Sequence, residues 1–226
     1  MKIHLIEGSG KVLPPMREKS GLRAKKYLKH FGVNVILNTI VETYENETAF
    51  LNDGTQIKTN CLIWAAGVKG NLIPGLREGA VDKGRILVDQ YNLAKGHEFV
   101  YAIGDVALQI NEKNPKGYPQ LAPVAIQQAE HLGANLIRLI AKKPMKPFKY
   151  TDKGSMATVG RNRAVVDAPF NITFGGFFGW FVWMFVHLFS IVGMRRKFLV
   201  FANWVWNYFT YNRGNRLIIN KDVDDV

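Results

Sequence analysis

Val100-Tyr101-Ala102-Ile103-Gly104-Asp105-Val106 reads as an apolar strand that stops on a Gly-Asp pair. A strand ending on glycine lets a ligand approach the backbone. The Asp105 carboxylate can then accept hydrogen bonds from the hydroxyls of a ribityl or ribose chain. Taken alone, these residues equally describe a strand followed by an Asp-initiated turn, the simpler reading for so short a stretch. The flanking sequence tips the balance. Upstream, Leu62-Ile63-Trp64-Ala65-Ala66-Gly67 is a second apolar run ending in small residues; downstream a helix opens at Pro123, and beyond it the chain becomes rich in Trp and Phe.

Composition narrows the function classes. A length of 226 residues allows one or two domains, and a hydrophobic content of 47% supplies a core. The net charge of +12, from 30 basic and 18 acidic residues, would ordinarily raise nucleic acid as a partner. The distribution argues against it. There is no Arg-rich recognition helix or aromatic RNA-binding strand motif, while Arg195, Arg196 and Lys197 sit beside a long apolar segment, an arrangement suited to anionic lipid. The single cysteine, Cys61, excludes an internal disulfide and a Cys-x-x-Cys redox pair, and its place in an apolar run predicts a buried small hydrophobe. Five scattered histidines lack metal-ligand spacing, so no metal site is expected, and no Ser-His-Asp arrangement suggests itself. No export signal is expected, because the apolar run after Met1 is short.

Along the chain, residues 3–6 read as a buried strand that delivers Glu7 to its carboxyl end. In a dinucleotide-binding unit an acid there takes the adenine ribose 2′-hydroxyl and repels a 2′-phosphate, favouring NADH. The Gly-x-Gly-x-x-Gly segment that precedes such an acid by about 20 residues is not found, and Gly8-Ser9-Gly10-Lys11 has the wrong spacing for a P-loop. Residues 19–31 predict a basic amphipathic helix with Leu22, Tyr27 and Leu28 inward. Residues 33–37, 40–44, 48–51 and 56–58 predict short strands, with a hairpin turn at Asn52-Asp53-Gly54. Residues 61–65, 85–88 and 99–103 predict strands, and 108–120 a surface loop. From Leu121, apolar positions through Val124, Ala125, Leu132, Leu136, Leu139 and Ile140 keep helical spacing, with Pro123 in the tolerant first turn.

In the tail, residues 172–194 carry no formal charge when His187 is neutral, and hydropathy alone makes a transmembrane helix the default. Gly175, Gly176 and Gly179 loosen its start. The next segment, 198–211, is too short to cross and sets Asn203, Asn207 and Thr210 on one stripe of an aromatic helix. Trp180, Trp183, Trp204, Trp206, Tyr208 and Tyr211 suit a headgroup region, and basic residues including Arg213 and Arg216 flank the segment. A monotopic platform is therefore favoured over a span.

With the tail included, the order of strand, small-residue turn, Gly-Asp and helix resembles the carboxyl-terminal portion of the type II NADH dehydrogenases, the single-subunit, non-pumping NADH:quinone oxidoreductases. The resemblance implies an α/β fold, a partial two-dinucleotide-binding (Rossmann-like) flavoprotein with a membrane-associating helical tail. The implied domains are 1–67 for part of the NADH domain, 68–147 for part of the FAD domain, and 148–226 for membrane anchoring. It implies FAD as prosthetic group and NADH, a membrane quinone and an anionic lipid surface as partners, with a homodimer as the expected assembly and the cytoplasmic face of the inner membrane as the location.

The resemblance also assigns residues. Ala66 and Gly67 fall where the family's backbone approaches the nicotinamide, and Gly104 with Asp105 where it anchors FAD. The family's quinone-site motif, Ala-Gln-x-Ala-x-Gln, aligns on Ala122, Pro123, Val124, Ala125, Ile126 and Gln127, so Pro123 replaces the first Gln. The helix end at Pro123, Val124 and Ala125 implies free N–H groups and a positive dipole end facing the flavin. Gln127 and Lys153 become the candidate catalytic residues, Lys153 also lying near the flavin. Without the family match, Gln127 and Gln128 read equally well as solvated helix residues. Two rivals share parts of this pattern: a sulfide:quinone oxidoreductase, which lone Cys61 argues against, and a non-catalytic membrane-associated nucleotide-binding fragment.

Overall fold

A computed structural model describes residues 2–191 and 193–210; Tyr211, Arg213 and Arg216 of the proposed headgroup-facing end lie outside the described residues. In chain order the elements are β1 (Ile3–Glu7), α1 (Glu18–His30), β2 (Val33–Leu37), β3 (Val41–Glu45), β4 (Thr48–Leu51), β5 (Gln56–Lys58), β6 (Val81–Asp82), β7 (Arg85–Val88), a 3-10 turn (Gly104–Val106), β8 (Ala107–Gln109), α2 (Ala122–Ile140), β9 (Ser155–Thr158), β10 (Ala164–Asp167), β11 (Thr173–Gly175), α3 (Gly176–Ser190) and α4 (Met194–Thr210). They form two compact units, Met1–Cys61 with Lys153–Val226, and Leu62–Asp152.

In the first unit β1 and β2 pair in parallel from Ile3 opposite Val33 to Glu7 opposite Leu37, joined by α1 as a βαβ crossover. The helix buries Ser20, Gly21 and Ala24 against a core that includes Val12, Met16 and Val165. A Cβ at Gly21 would lie 2.8 Å from the Val12 carbonyl, so only glycine lets the incoming loop cross there. Tyr27 and Leu28 pack on this core, but Leu22, expected inward, is 61% exposed because it lies off the 20, 21, 24, 27, 28 stripe. β3, β4 and β5 form the expected antiparallel meander, and the Asn52-Asp53-Gly54 turn closes with Gly54 at φ 83° and the Thr55 N–H donating to Asp53 Oδ1 at 2.9 Å.

Further along the chain, β9, β10 and β11 make an antiparallel sheet centred on β10, whose four residues are all buried. From its end Asp167 accepts the Arg17 N–H at 2.6 Å and the Ser20 hydroxyl at 2.5 Å, tying the N-cap residue and the first turn of α1 to the end of β10.

The predicted strand at 61–65 does not form. The segment is irregular, Trp64 is 65% exposed and Cys61 is exposed rather than buried. A continuous apolar run becomes a buried parallel strand only with neighbours to pair with, and among the described residues β1 and β2 pair only with each other.

The second unit centres on a sheet in which β7 lies between antiparallel β6 and parallel β8, over a core of Ile86, Val88, Ala94, Ala102 and Ala107. Here too a strand is displaced. Residues 99–103 make only an isolated bridge, Leu93 to Tyr101, and the strand is β8, which follows Gly104-Asp105 and takes buried Leu108 and Gln109 out of the predicted loop. The α2 helix starts and runs as predicted, but its buried stripe is Val124, Gln128 and Asn135, while Leu136, Leu139 and Ile140 are exposed.

The tail is interrupted. Residues 172–194 divide into β11, α3 and the start of α4, with Gly193 at φ 89° in the break. The 15 residues of α3 rise only ~22 Å against a hydrocarbon core of ~30 Å. Among the described residues no helix is long and apolar enough to cross a membrane, which corrects the transmembrane reading of 172–194. Trp183 stacks on Trp204 at 6.0 Å and Trp180 meets Tyr208 at 5.6 Å, joining α3 to α4 around a cavity of about 520 Å³.

Candidate functional site

The turn Gly104–Val106 sits against the first turns of α2. Gly104 has φ 70°, and a Cβ there would stand 3.3 Å from that of Ala125, so glycine serves both the left-handed turn and the close approach of the helix. Its N–H donates to Gln128 Oε1 at 2.7 Å. The next side chain, Asp105, is exposed.

Neighbouring segments converge on the same turn. Gln120 Nε2 donates to the Asp105 carbonyl at 3.0 Å and to the Val68 carbonyl at 3.5 Å, which brings the 66–68 stretch to the turn. Ala66 and Gly67 are exposed, with Gly67 at φ 107° and nothing within 4 Å of a Cβ placed on it. Arg85 donates to the carbonyls of Ala107 and Tyr118, the latter at 3.1 Å. Burial holds its guanidinium below the ordinary value while the charge of the Asp105 carboxylate pulls the other way.

The helix end offers fewer donors than expected. Pro123 has no N–H, and the N–H groups of Val124 and Ala125 both return to the Leu121 carbonyl, at 3.0 and 3.1 Å, leaving Ala122 with the first-turn N–H outside the ladder. The dipole persists. Gln127 has both amide atoms engaged by one residue: Nε2 donates to the Thr151 carbonyl and Oε1 accepts the Thr151 N–H, each at 3.0 Å. Burial pushes the Tyr150 phenol above its ordinary value, with the Asp152 charge adding to it.

Thus Ala66, Gly67, Gly104, Asp105, Pro123, Val124, Ala125 and Gln127 all belong to the second unit, while Glu7 and Lys153 belong to the first. Glu7 stands half-buried at the end of β1 as expected, its Oε1 accepting the Ser9 N–H at 2.8 Å; Lys153 is exposed. Sequence reasoning missed Gln128, 1% exposed, and the bridging Gln120 and Arg85. Gln128 falls four residues after Val124, on the stripe the structure buries, but its polarity hides it from a reading by hydropathy.

The pyridine nucleotide-disulphide oxidoreductase pattern matches residues 1–129, and the NDH2 C-terminal domain pattern matches 153–211. The chain belongs to the pyridine nucleotide-disulphide oxidoreductase family, and the relatives it matches within that family include type II NADH dehydrogenases. It is 32% identical to the type II NADH:quinone oxidoreductase NdhA of Mycobacterium tuberculosis, over 98% of this chain and 49% of that protein. It is 30% identical to the mitochondrial internal alternative NAD(P)H-ubiquinone oxidoreductase A1 of Arabidopsis thaliana, over 92% of this chain and 44% of that one. The fold matches that of NDH2 from Plasmodium falciparum, solved in complex with NADH, with a TM-score of 0.82 at 18% identity, covering 93% of this chain and 58% of that one. The chain spans about half the length of the curated relatives it matches.

Proposed function

We propose that this chain forms the carboxyl-terminal part of an FAD-dependent NADH:quinone oxidoreductase that works at a membrane surface. The observation that carries this is the Gly104-Asp105 turn seated on the start of α2, an exposed carboxylate beside a helix dipole. The residues present fit the hydroxylated chain of FAD: the carboxylate accepts hydroxyl hydrogens, and the tight Gly104 contact with Ala125 keeps the backbone low beneath a ligand. FAD, when bound, supplies the two-electron chemistry that links hydride removal from NADH to quinone reduction.

The chain's own residues bind and orient. Asp105 holds hydroxyls, and the α2 dipole favours negative charge at its start. Glu7 receives the NADH ribose 2′-hydroxyl and repels a 2′-phosphate. Gln127 contributes at the quinone end by holding Thr151, two residues before Lys153, whose ammonium orients a quinone carbonyl. Exposed aromatics of α3 and α4, with Arg195, Arg196 and Lys197 and no acidic residue from 168 to 210, suit docking on anionic lipid without spanning it.

The test completes the chain with the amino-terminal half of a relative and measures bound flavin and NADH-dependent reduction of a lipophilic quinone. Stoichiometric FAD with quinone reduction is expected. A folded, completed protein that binds no flavin overturns the reading.

A further inference from the structure

Three side-chain amides on α2 each hold a backbone segment of the same unit. Gln128 accepts the Gly104 N–H at 2.7 Å. Gln127 exchanges two 3.0 Å bonds with Thr151, and Asn135 exchanges bonds of 2.9 and 2.8 Å with the N–H and carbonyl of Lys146. A primary amide carries donor and acceptor side by side, so a reciprocal pair with one residue's backbone reproduces the paired bonds of a β-ladder. Gln127 and Asn135 lie ~12 Å apart along the helix axis, and an extended segment from Lys146 to Thr151 spans up to ~16 Å. The segment is therefore laced along α2, antiparallel to it. Gln128 shares the buried stripe with Asn135 but reaches the Gly104-Asp105 turn rather than the 146–151 segment, and it is buried at 1% exposure.

We propose that Gln128 is the positioning residue for Asp105: by fixing the Gly104 N–H it sets the direction of the exposed carboxylate, while Gln127 and Asn135 lace residues 146–151 to the helix. This rests on the reading of Asp105 as a ligand for the hydroxyls of FAD. The physical basis is that Gly104, at φ 70°, has no side chain of its own to lock the turn, and its partly buried N–H would lose its acceptor without Gln128. The amide oxygen of Gln128 satisfies that N–H and selects one orientation of the Ile103–Gly104 peptide, from which the chain turns through Gly104 into Asp105.

The first arm measures amide exchange in the 226-residue chain and requires no flavin. Gln128→Met is expected to speed exchange at Gly104 about tenfold and leave Lys146 and Thr151 unchanged; Asn135→Met does the reverse, accelerating Lys146 alone. Gln128→Glu keeps the accepting oxygen and is expected to keep Gly104 slow, which preserves the comparison should Gln128→Met fail to fold. The second arm measures FAD dissociation from the completed protein. Asp105→Asn and Gln128→Met are expected to be strongly non-additive, whereas Asp105→Asn and Asn135→Met multiply. Unchanged exchange at Gly104 in a folded Gln128→Met, or accelerated exchange there in Gln128→Glu, overturns the clamp, and multiplicative losses for Asp105 with Gln128 overturn the positioning role. A completed protein that holds no FAD, with the exchange pattern intact, overturns the reading of Asp105 and with it the purpose of the clamp.

Discussion

At the scale of single residues, the nucleotide selection proposed for Glu7 rests on how its charge is held. Glu7 ends β1 with one oxygen held by the Ser9 N–H, so its carboxylate is fixed rather than swinging in solvent. A fixed negative charge discriminates against a second negative charge more strongly than a mobile one. In the completed protein Glu7→Gln is expected to raise kcat/KM for NADPH about tenfold or more relative to NADH, since a desolvated like-charge contact is worth ~1–2 kcal/mol. Steady-state rates with both nucleotides check this, and an unchanged ratio removes Glu7 from nucleotide choice.

Tyr150 gives a prediction about stability. Its phenol is raised above its ordinary value by burial and by Asp152. The folded state therefore holds that proton more tightly than the unfolded state does. Its contribution is intact below pH ~10 and is lost as pH rises through the folded value. Tyr150→Phe should flatten the loss of thermal stability on the alkaline side while leaving neutral stability nearly unchanged. Melting temperatures between pH 8 and 11 are the measurement.

At the scale of elements, Asp167 joins parts of the chain separated by almost 150 residues through the Arg17 N–H and the Ser20 hydroxyl. Asp167→Ala leaves two donors at the start of α1 without an acceptor, at an expected cost of about 2–4 kcal/mol in unfolding free energy. Ser20→Ala removes one bond and its donor together and should cost less than half of that. Equal losses from the two would show that the bond to the Arg17 N–H contributes nothing to holding the start of α1.

How far these elements were legible follows from where their information lies. β1, α1, β2 and the meander read directly, because apolar periodicity and the Asn52-Asp53-Gly54 turn are local. The 61–65 and 99–103 runs carry strand-like residues, but pairing is a tertiary property, and the sheet partner went to β8 instead. The start of α2 was legible from Pro123. Its buried face was not, because that face is built from Gln128 and Asn135, whose polarity is cancelled only by the backbones of Gly104 and Lys146. The same limit hid the clamps around the site: Gln127 reads as a ligand until Thr151 is seen to occupy both its atoms.

At the scale of the whole molecule, the proposed meeting of the tail with a membrane is open to test, and the fold dictates how. Cutting after Asp167 would strip β11 from β10 and take with it α3, whose Gly179 packs close to Ala164 of β10. Loss of membrane binding would then be indistinguishable from loss of the unit. Substituting side chains that already face solvent avoids this. Phe198, Trp206 and Phe209 on α4 are 71%, 64% and 76% exposed, so replacing all three with Ser removes little packing. Each aromatic withdrawn from an apolar phase is worth ~1.5–3 kcal/mol. The triple variant should therefore lose binding to anionic vesicles by orders of magnitude at an unchanged melting temperature. Arg195→Gln with Arg196→Gln should weaken binding mainly at low salt, since charge attraction to lipid is screened over ~10 Å at 0.1 M. Vesicle sedimentation of the 226-residue chain reads both effects. Binding that survives the aromatic substitutions, or is equally strong on neutral vesicles, would show that α4 is not the surface that meets lipid.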